Sequence, residues 1–214
     1  DNFQLNNPIM IKRLSLLTAI AAAIVVAFGV GCASNAATEV GARTDALDSS
    51  AWESAQWISA ANAPVLTSRP EGDRAADGAS WFLSTLKNEQ KVTSAKWMTT
   101  SLGVYEIYVN GKPVGNEFLK PGFTDVRKTR RSFTYDITEA FNTGSGAENT
   151  LSAQVTPGWW ADKIVGMVGK KCAFRSVLEL TYADGSKQLY GTDLENWKAG
   201  IAGPVKHAAI FDGE

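Results

Sequence analysis

Histidine is nearly missing from this chain: His207 is the one instance in 214 residues. A multi-histidine metal centre is therefore excluded, and so is any histidine dyad or triad that does not run through His207. Cysteine is almost as scarce. Cys32 and Cys172 are too few for a disulfide framework, and Cys172 reads as a small buried hydrophobe. An excess of either charge is lacking too: 21 basic and 22 acidic residues leave a net charge of −1. No basic face is available, which excludes a nucleic-acid partner. Long helical patterns are few, and internal repeats and low-complexity tracts are absent. The chain instead carries 19 Gly and 7 Trp, the composition of turn-rich β structure with a large aromatic core.

One long apolar run stands near the start. Residues 1–9 carry no usable pattern and read as an upstream extension before Met10. Lys12-Arg13 then precedes an apolar stretch from Leu14 to Val30, and small residues follow it. Basic residues before the run, and no charges that would stop transfer after it, make residues 10–32 a secretory signal rather than a spanning helix. Gly29-Val30-Gly31-Cys32 is similar to a bacterial lipobox, which makes Cys32 the expected lipidation site; ordinary cleavage near Ser34-Asn35-Ala36 is the competing reading. By analogy with lipoprotein sorting, the absence of Asp after Cys32 points to an outer-membrane lipoprotein, periplasmic or at the cell surface, with plain secretion as the alternative. Residues 33–50 are small and polar and read as a tether, and the globular part is expected over 51–214.

The centre of that globular part is Gly103 to Thr138, GVYEIYVNGKPVGNEFLKPGFTDVRKTRRSFTYDIT. Tyr105, Ile107 and Val109 alternate with Val104, Glu106 and Tyr108, as in a half-buried strand. Asn110-Gly111 is the strongest short hairpin signal, and Pro113 puts the return strand at an edge or strand start. Pro121-Gly122 marks another turn. Phe133, Tyr135 and Ile137 alternate again, and Asp136 with Glu139 reads as a capping box on a short helix. Upstream, Trp52 and Trp57-Ile58 suggest an opening strand, Asn62 to Gly78 a loop, and Ser80 to Leu86 and Ser94 to Thr100 two strands. Downstream, Thr150 to Thr156 alternates with Leu151, Ala153 and Val155 inward. Phe174 to Tyr182 and Lys187 to Gly191 form a hairpin about Ala183-Asp184-Gly185-Ser186. Eight or nine short strands are the signature of an all-β, antiparallel sandwich or jelly roll.

The string from Gly103 to Thr138 resembles the N-terminal β-sandwich region of bacterial α-L-rhamnosidases, glycoside hydrolase family 78. The resemblance runs on through Pro157-Gly158-Trp159-Trp160, Ala183-Asp184-Gly185, Gly203-Pro204 and Ile210-Phe211-Asp212-Gly213-Glu214, and covers roughly Trp52 to the last residue. It departs from the family pattern at Gly144-Ser145-Gly146-Ala147, which lengthens a connection. It implies a galactose-binding-like sandwich that contacts rhamnose-containing carbohydrate. It also implies a partner, an (α/α)6 barrel in the same gene product, beyond Glu214, that holds the acid and base of an inverting hydrolase. No catalytic residue is then expected here. Glycoside hydrolysis needs two flanking carboxyl groups; Glu106, Asp125, Asp136 and Asp184 each read first as structural. Related sugar-binding sandwiches often carry a structural calcium ion, but no ligand spacing here specifies one, and no other cofactor or metal is expected.

The sharper expectation is a sugar site at Trp159 and Trp160, with Asp162 and Lys163 bonding hydroxyls. Two neighbouring aromatics on one loop do not both enter a core easily. A plug against the next domain is the alternative for that loop. The run Arg127-Lys128-Thr129-Arg130-Arg131 reads as a solvated loop before it reads as a site for an acidic sugar. Two rival functions stand beside the rhamnosidase reading: a sugar-binding jelly roll of another glycosidase, and a structural surface lipoprotein.

Overall fold

The computed structural model describes residues 40–61, 79–161, 171–201, 206–207 and 209–210. All of them belong to one compact unit, Ala37–Glu214. The signal segment, Cys32 and the Asn62–Gly78 loop lie outside the described residues.

Two strands meet at Gly103, and that residue shows how the sandwich is made. Val92–Leu102 (β4) lies in one sheet and Val104–Val109 (β5) in the other, with only Gly103 between them. Gly103 has φ +131°, and a Cβ there would sit 2.4 Å from the carbonyl oxygen of Thr156. Only glycine allows so abrupt a change of sheet.

The remaining strands are Ala42–Arg43 (β1), Ile58–Ser59 (β2), Ser80–Lys87 (β3), Lys112–Pro113 (β6), Phe133–Asp136 (β7), Glu148–Thr156 (β8), Ala173–Tyr182 (β9), Lys187–Gly191 (β10), Trp197–Ile201 (β11), Lys206–His207 (β12) and Ala209–Ile210 (β13). The first sheet runs β1-β7-β4-β9-β2-β13, with β10 also paired to β9; the second runs β12-β11-β3-β8-β5-β6. Every strand pairing in them is antiparallel. Eight of the described strands have four or more residues, in keeping with the eight or nine expected. The alternation expected for β5 and β8 holds: Tyr105, Ile107, Val109, Leu151, Ala153 and Val155 are all buried. Asn110 (φ 49°) and Gly111 (φ 77°) take the left-handed conformations of the expected hairpin, and β6 with Pro113 is an edge strand.

Phe174 is the hub of the core. From β9 it reaches across the gap to Phe82 (5.7 Å between centroids), Tyr105 (6.2 Å) and Trp197 (5.7 Å) of the second sheet, and it touches Trp97 (6.4 Å) of its own. Edge-on and tilted geometries dominate, which suits the ring quadrupoles.

Three expectations need correction. Trp52 is not in an opening strand but in a 3-10 helix, Ser49–Ser54, started by Asp48 accepting from the Ser50 N–H at 2.8 Å. That helix has a job: Ala51 and Ala55 cover Met98 and Val177 on the outer face of the first sheet. The Arg175 guanidinium also lies over the Trp52 ring, 5.1 Å from its centroid. The tether expected over 33–50 ends sooner, because Val40 bridges Val114 and β1 pairs with β7. The capping box does not form either. The 3-10 helix Thr138–Ala140 has Ile137 at its N-cap without a side-chain bond. Asp136 instead accepts from both the backbone N–H and the hydroxyl of Thr138, one residue too early for the box.

Candidate functional site

The two ends of the β5–β8 ladder differ in chemistry. Val109 faces Leu151 at one end and Val104 faces Thr156 at the other.

The Val109 end is closed by four asparagines. Asn149 Oδ1 accepts from the Asn142 N–H (2.7 Å) and from Asn110 Nδ2 (2.9 Å), while Asn149 Nδ2 donates to Asn88 Oδ1 and the Asn142 carbonyl. Asn88 Nδ2 donates to the carbonyls of Asn142 and Gly144. Asn110 Oδ1 accepts from the Thr150 N–H. Asn88, Asn110 and Asn149 thus each serve as donor and acceptor inside the fold, the condition under which burying amides is not costly.

The Val104 end presents hydrocarbon. Phe118 is 88 % exposed, Leu119 54 % and Phe123 53 %, while Lys120 between them is 1 % exposed. This inverts the usual order of residues, and Glu106 is the cause. Lys120 Nζ lies 2.7 Å from Glu106 Oε2 and donates to the Val114 carbonyl at 3.0 Å. The Lys120 carbonyl accepts from the Tyr105 N–H at 2.8 Å. The loop is therefore pinned to β5 through its lysine, with a cis Lys120–Pro121 bond and Leu119 at φ 57°, and its flanking apolar residues are turned outward.

Trp159 and Trp160 sit beside this loop in the 3-10 helix Gly158–Ala161. They do different things. Trp160 packs against the main core and against Leu102 and Ala173, and its indole N–H donates to the Lys171 carbonyl at 2.7 Å. Trp159 is half-buried and meets Phe123 edge-on, with centroids 6.2 Å apart. Trp160 is thus an anchor and Trp159 a surface ring. Asp162 and Lys163 lie outside the described residues. Gly158 sets the entry: at φ +46° a Cβ would fall 2.3 Å from Val104 Cγ2.

The basic run is largely engaged by the protein itself. Arg127 pairs with Asp125 at 2.8 Å, and that hydrogen bond holds the Asp125 carboxyl below its usual range. Arg130 lies over Trp57 (6.0 Å) and Arg131 over Phe133 (5.4 Å). The four carboxylates weighed for chemistry have structural partners as well: Glu106 holds Lys120, Asp125 holds Arg127, and Asp136 and Asp184 close turns. Among the described residues no group of three His, Cys, Asp or Glu side chains converges as a metal site would.

Three phenols on β5 and β7 hold their protons above the ordinary range. Burial pushes the Tyr105 hydroxyl up, although Thr99 bonds it at 2.9 Å. Burial likewise raises Tyr135, whose hydroxyl donates to Glu117 at 3.0 Å. Glu117 also pairs with Arg43 at 3.5 Å. Tyr108, on the outer face of β5, is raised by burial and then by Glu106.

The family model for the alpha-L-rhamnosidase N-terminal domain matches residues 90–214, more than half of the chain. An alpha-L-rhamnosidase of Streptomyces avermitilis is 39 % identical over 130 residues, covering 58 % of this chain and 12 % of that protein. Among solved structures, an alpha-L-rhamnosidase of Aspergillus terreus superposes with a TM-score of 0.59 at 28 % identity, covering 78 % of this chain and 19 % of that one. The Streptomyces avermitilis alpha-L-rhamnosidase complexed with L-rhamnose gives a TM-score of 0.51 at 36 % identity, covering 64 % of this chain and 13 % of that one. The chain therefore spans less than a fifth of the length of these relatives. Since the matched residues contain the hairpin at Asn110, the pinned loop and both tryptophans, the chain belongs to the alpha-L-rhamnosidase N-terminal domain family.

Proposed function

We propose that this chain is the non-catalytic, carbohydrate-contacting N-terminal sandwich of an exported α-L-rhamnosidase. The glycoside hydrolase chemistry belongs to an (α/α)6 barrel in the same gene product. The observation that carries this reading is the family match over residues 90–214 in a chain that spans less than a fifth of its relatives. The structural engagement of Glu106, Asp125, Asp136 and Asp184 supports it. The exposed surface of Phe118, Leu119, Phe123 and Trp159 is the contact surface, with Trp159 as the stacking ring, Trp160 as its support, and Asp162 and Lys163 as hydroxyl partners. Residues 10–32 direct export, Cys32 carries the lipid that anchors the protein at the outer membrane, and residues from 33 to the start of the sandwich form the tether.

The test is a titration of the full chain with L-rhamnose and with a rhamnogalacturonan oligosaccharide, read by Trp fluorescence. A saturable change in the millimolar range is expected, about −4 kcal/mol of binding, and Trp159→Ala removes it while the melting temperature stays near wild type. A folded protein with no saturable response to any rhamnose-containing ligand makes the surface an interface for the barrel instead. For export, Cys32→Ala is expected to release the protein from the membrane fraction; an unprocessed cytosolic wild-type protein would overturn the leader assignment.

A further inference from the structure

A second place in the molecule has the make-up of a small-ligand site. On the flank where β10 and β11 lie, the two sheets part to leave a cleft of about 420 Å³, within the size range of small-molecule sites. Its floor is one row of the second sheet's inner face, where Ser84 stands in register with Leu151 on one side and Trp197 on the other. Its wall is Tyr190 of β10, with the half-exposed Leu189 at its rim.

Ser84 is the unexpected residue. Its row neighbours are large and apolar, and it is itself only 6 % exposed. A valine or leucine there would fill the space between the sheets. Ser84 lines the cleft, and among the described residues its hydroxyl has no protein hydrogen-bond partner; unlike the unpaired hydroxyls of Thr134 and Ser176, it is not sealed from solvent. The floor of the cleft thus holds, between Leu151 and Trp197, one hydroxyl that the fold does not use.

The mouth is polar, with both donors and acceptors. Glu89 spends one oxygen on Gln188 Nε2 at 3.3 Å. Asn196 donates its amide nitrogen to Asp193 Oδ2 at 2.9 Å, which leaves its side-chain carbonyl as an acceptor. Lys87 supplies an ammonium with no ion pair among the described residues. The two carboxylates against one ammonium disfavour an anionic ligand. An aromatic wall at Tyr190, an open hydroxyl on the floor and a rim of mixed donors and acceptors match a compact molecule with an apolar face and several neutral hydroxyl groups.

We propose that this cleft is a second carbohydrate site, separate from the Trp159 surface, that takes one neutral sugar ring with its apolar face on Tyr190 and a hydroxyl on Ser84. Only the choice of carbohydrate probes leans on the function proposed above; the site itself does not.

The test uses the full chain labelled with nitrogen-15, titrated separately with L-rhamnose, D-galactose and D-galacturonate. The probes are the Asn196 side-chain amide and the Trp197 indole for the cleft, and the Trp159 indole for the other surface. A neutral sugar is expected to give saturable shifts at Asn196 and Trp197, with D-galacturonate weaker. Leu189→Arg, at a half-exposed position that blocks the mouth, abolishes them. Ser84→Val, which replaces the hydroxyl by hydrocarbon, weakens binding at least about tenfold with the fold retained. Three results overturn the inference: no saturable shift at either cleft probe with any neutral sugar, cleft shifts that survive Leu189→Arg, or galacturonate binding as tightly as the neutral sugars. Shifts confined to Trp159 overturn this site and leave the first reading standing; shifts confined to the cleft do the reverse.

Discussion

The same two strands end in opposite ways. Where β5 and β8 finish at Val109 and Leu151, four asparagines satisfy one another and the surrounding backbone. Where they meet at Val104 and Thr156, a buried lysine holds a loop whose phenylalanines face solvent. One end is closed by hydrogen bonds that only the fold can use, and the other keeps its hydrogen bonds inside and offers its hydrocarbon outside. Exposed apolar patches of this kind mark contact surfaces. The difference teaches that an end of a sandwich is made rigid or adhesive by where its polar groups are satisfied, not by how many apolar residues it carries.

The harshest way to break the comparison is alkali. Tyr105 and Tyr135 stand on β5 and β7 and Tyr190 lines the cleft, and burial is the leading cause of the raised pKa in all three. The folded state keeps these phenols neutral while the unfolded chain ionises near the ordinary value of 10.0. Their contribution to stability is therefore complete below that pH and is lost as the pH rises above it. Phenolate absorbance is expected to appear together with loss of the far-ultraviolet β signal. Ionisation of these residues in a chain that stays folded would show that they are not buried as described.

The next largest effect belongs to the closed end. Asn149→Ala strands the Asn142 N–H and the Asn88 side-chain oxygen and leaves the Asn110 amide only its bond to the Ala140 carbonyl; at about 1–3 kcal/mol for a buried unsatisfied group the expected loss is about 3 kcal/mol in urea unfolding. A loss below about 1 kcal/mol would mean that the end is held by packing alone. Glu106→Gln tests the open end. It leaves the Lys120 charge buried without its countercharge, but Glu106 is 42 % exposed, so about 2 kcal/mol is expected rather than the larger cost of a fully buried pair. Limited proteolysis is expected to cut the 115–131 loop faster in that variant; unchanged cutting would show that the lysine does not hold the loop.

The smallest effects sharpen the contrast between surface rings and anchors. Trp160→Phe removes the bond to the Lys171 carbonyl and is expected to cost about 1 kcal/mol. Phe118→Ser removes only an exposed ring and is expected to stay within about 0.5 kcal/mol of wild type. Melting curves check both, and equal losses would erase the distinction between the two residues.

Much of the fold was legible because its signals are local. Period-two alternation marked β5, β7 and β8, and Asn110-Gly111 announced its hairpin from two residues. Trp52 was misread because an aromatic near the start of a sandwich looks like a strand residue; the Asp48 cap that makes it helical is a weak signal in a run of small residues. At the site, the Pro157-Gly158-Trp159-Trp160 loop stood out, but not which tryptophan faces outward. The signal that could have led to the pinned loop was Phe118-Leu119 without alternation between two turn glycines, Gly115 and Gly122. Ser84 carried none: a serine in an alternating strand reads as an ordinary polar position.

The sequence by itself determined the architecture of this protein, since strand periodicity and turn glycines depend on residues only a few positions apart. It also determined that these 214 residues offer neither a multi-histidine centre nor a disulfide framework. Only the tertiary structure decided that Lys120 lies inside and Phe118 outside, because that outcome depends on Glu106, distant in sequence, standing within 2.7 Å of the ammonium. Only the tertiary structure brought Asn88, Asn110, Asn142 and Asn149 into one network, and set Ser84 between Leu151 and Trp197 at the floor of a cleft. Burial and hydrogen-bond satisfaction are properties of a residue's neighbours in space, and here those neighbours come from strands far apart along the chain.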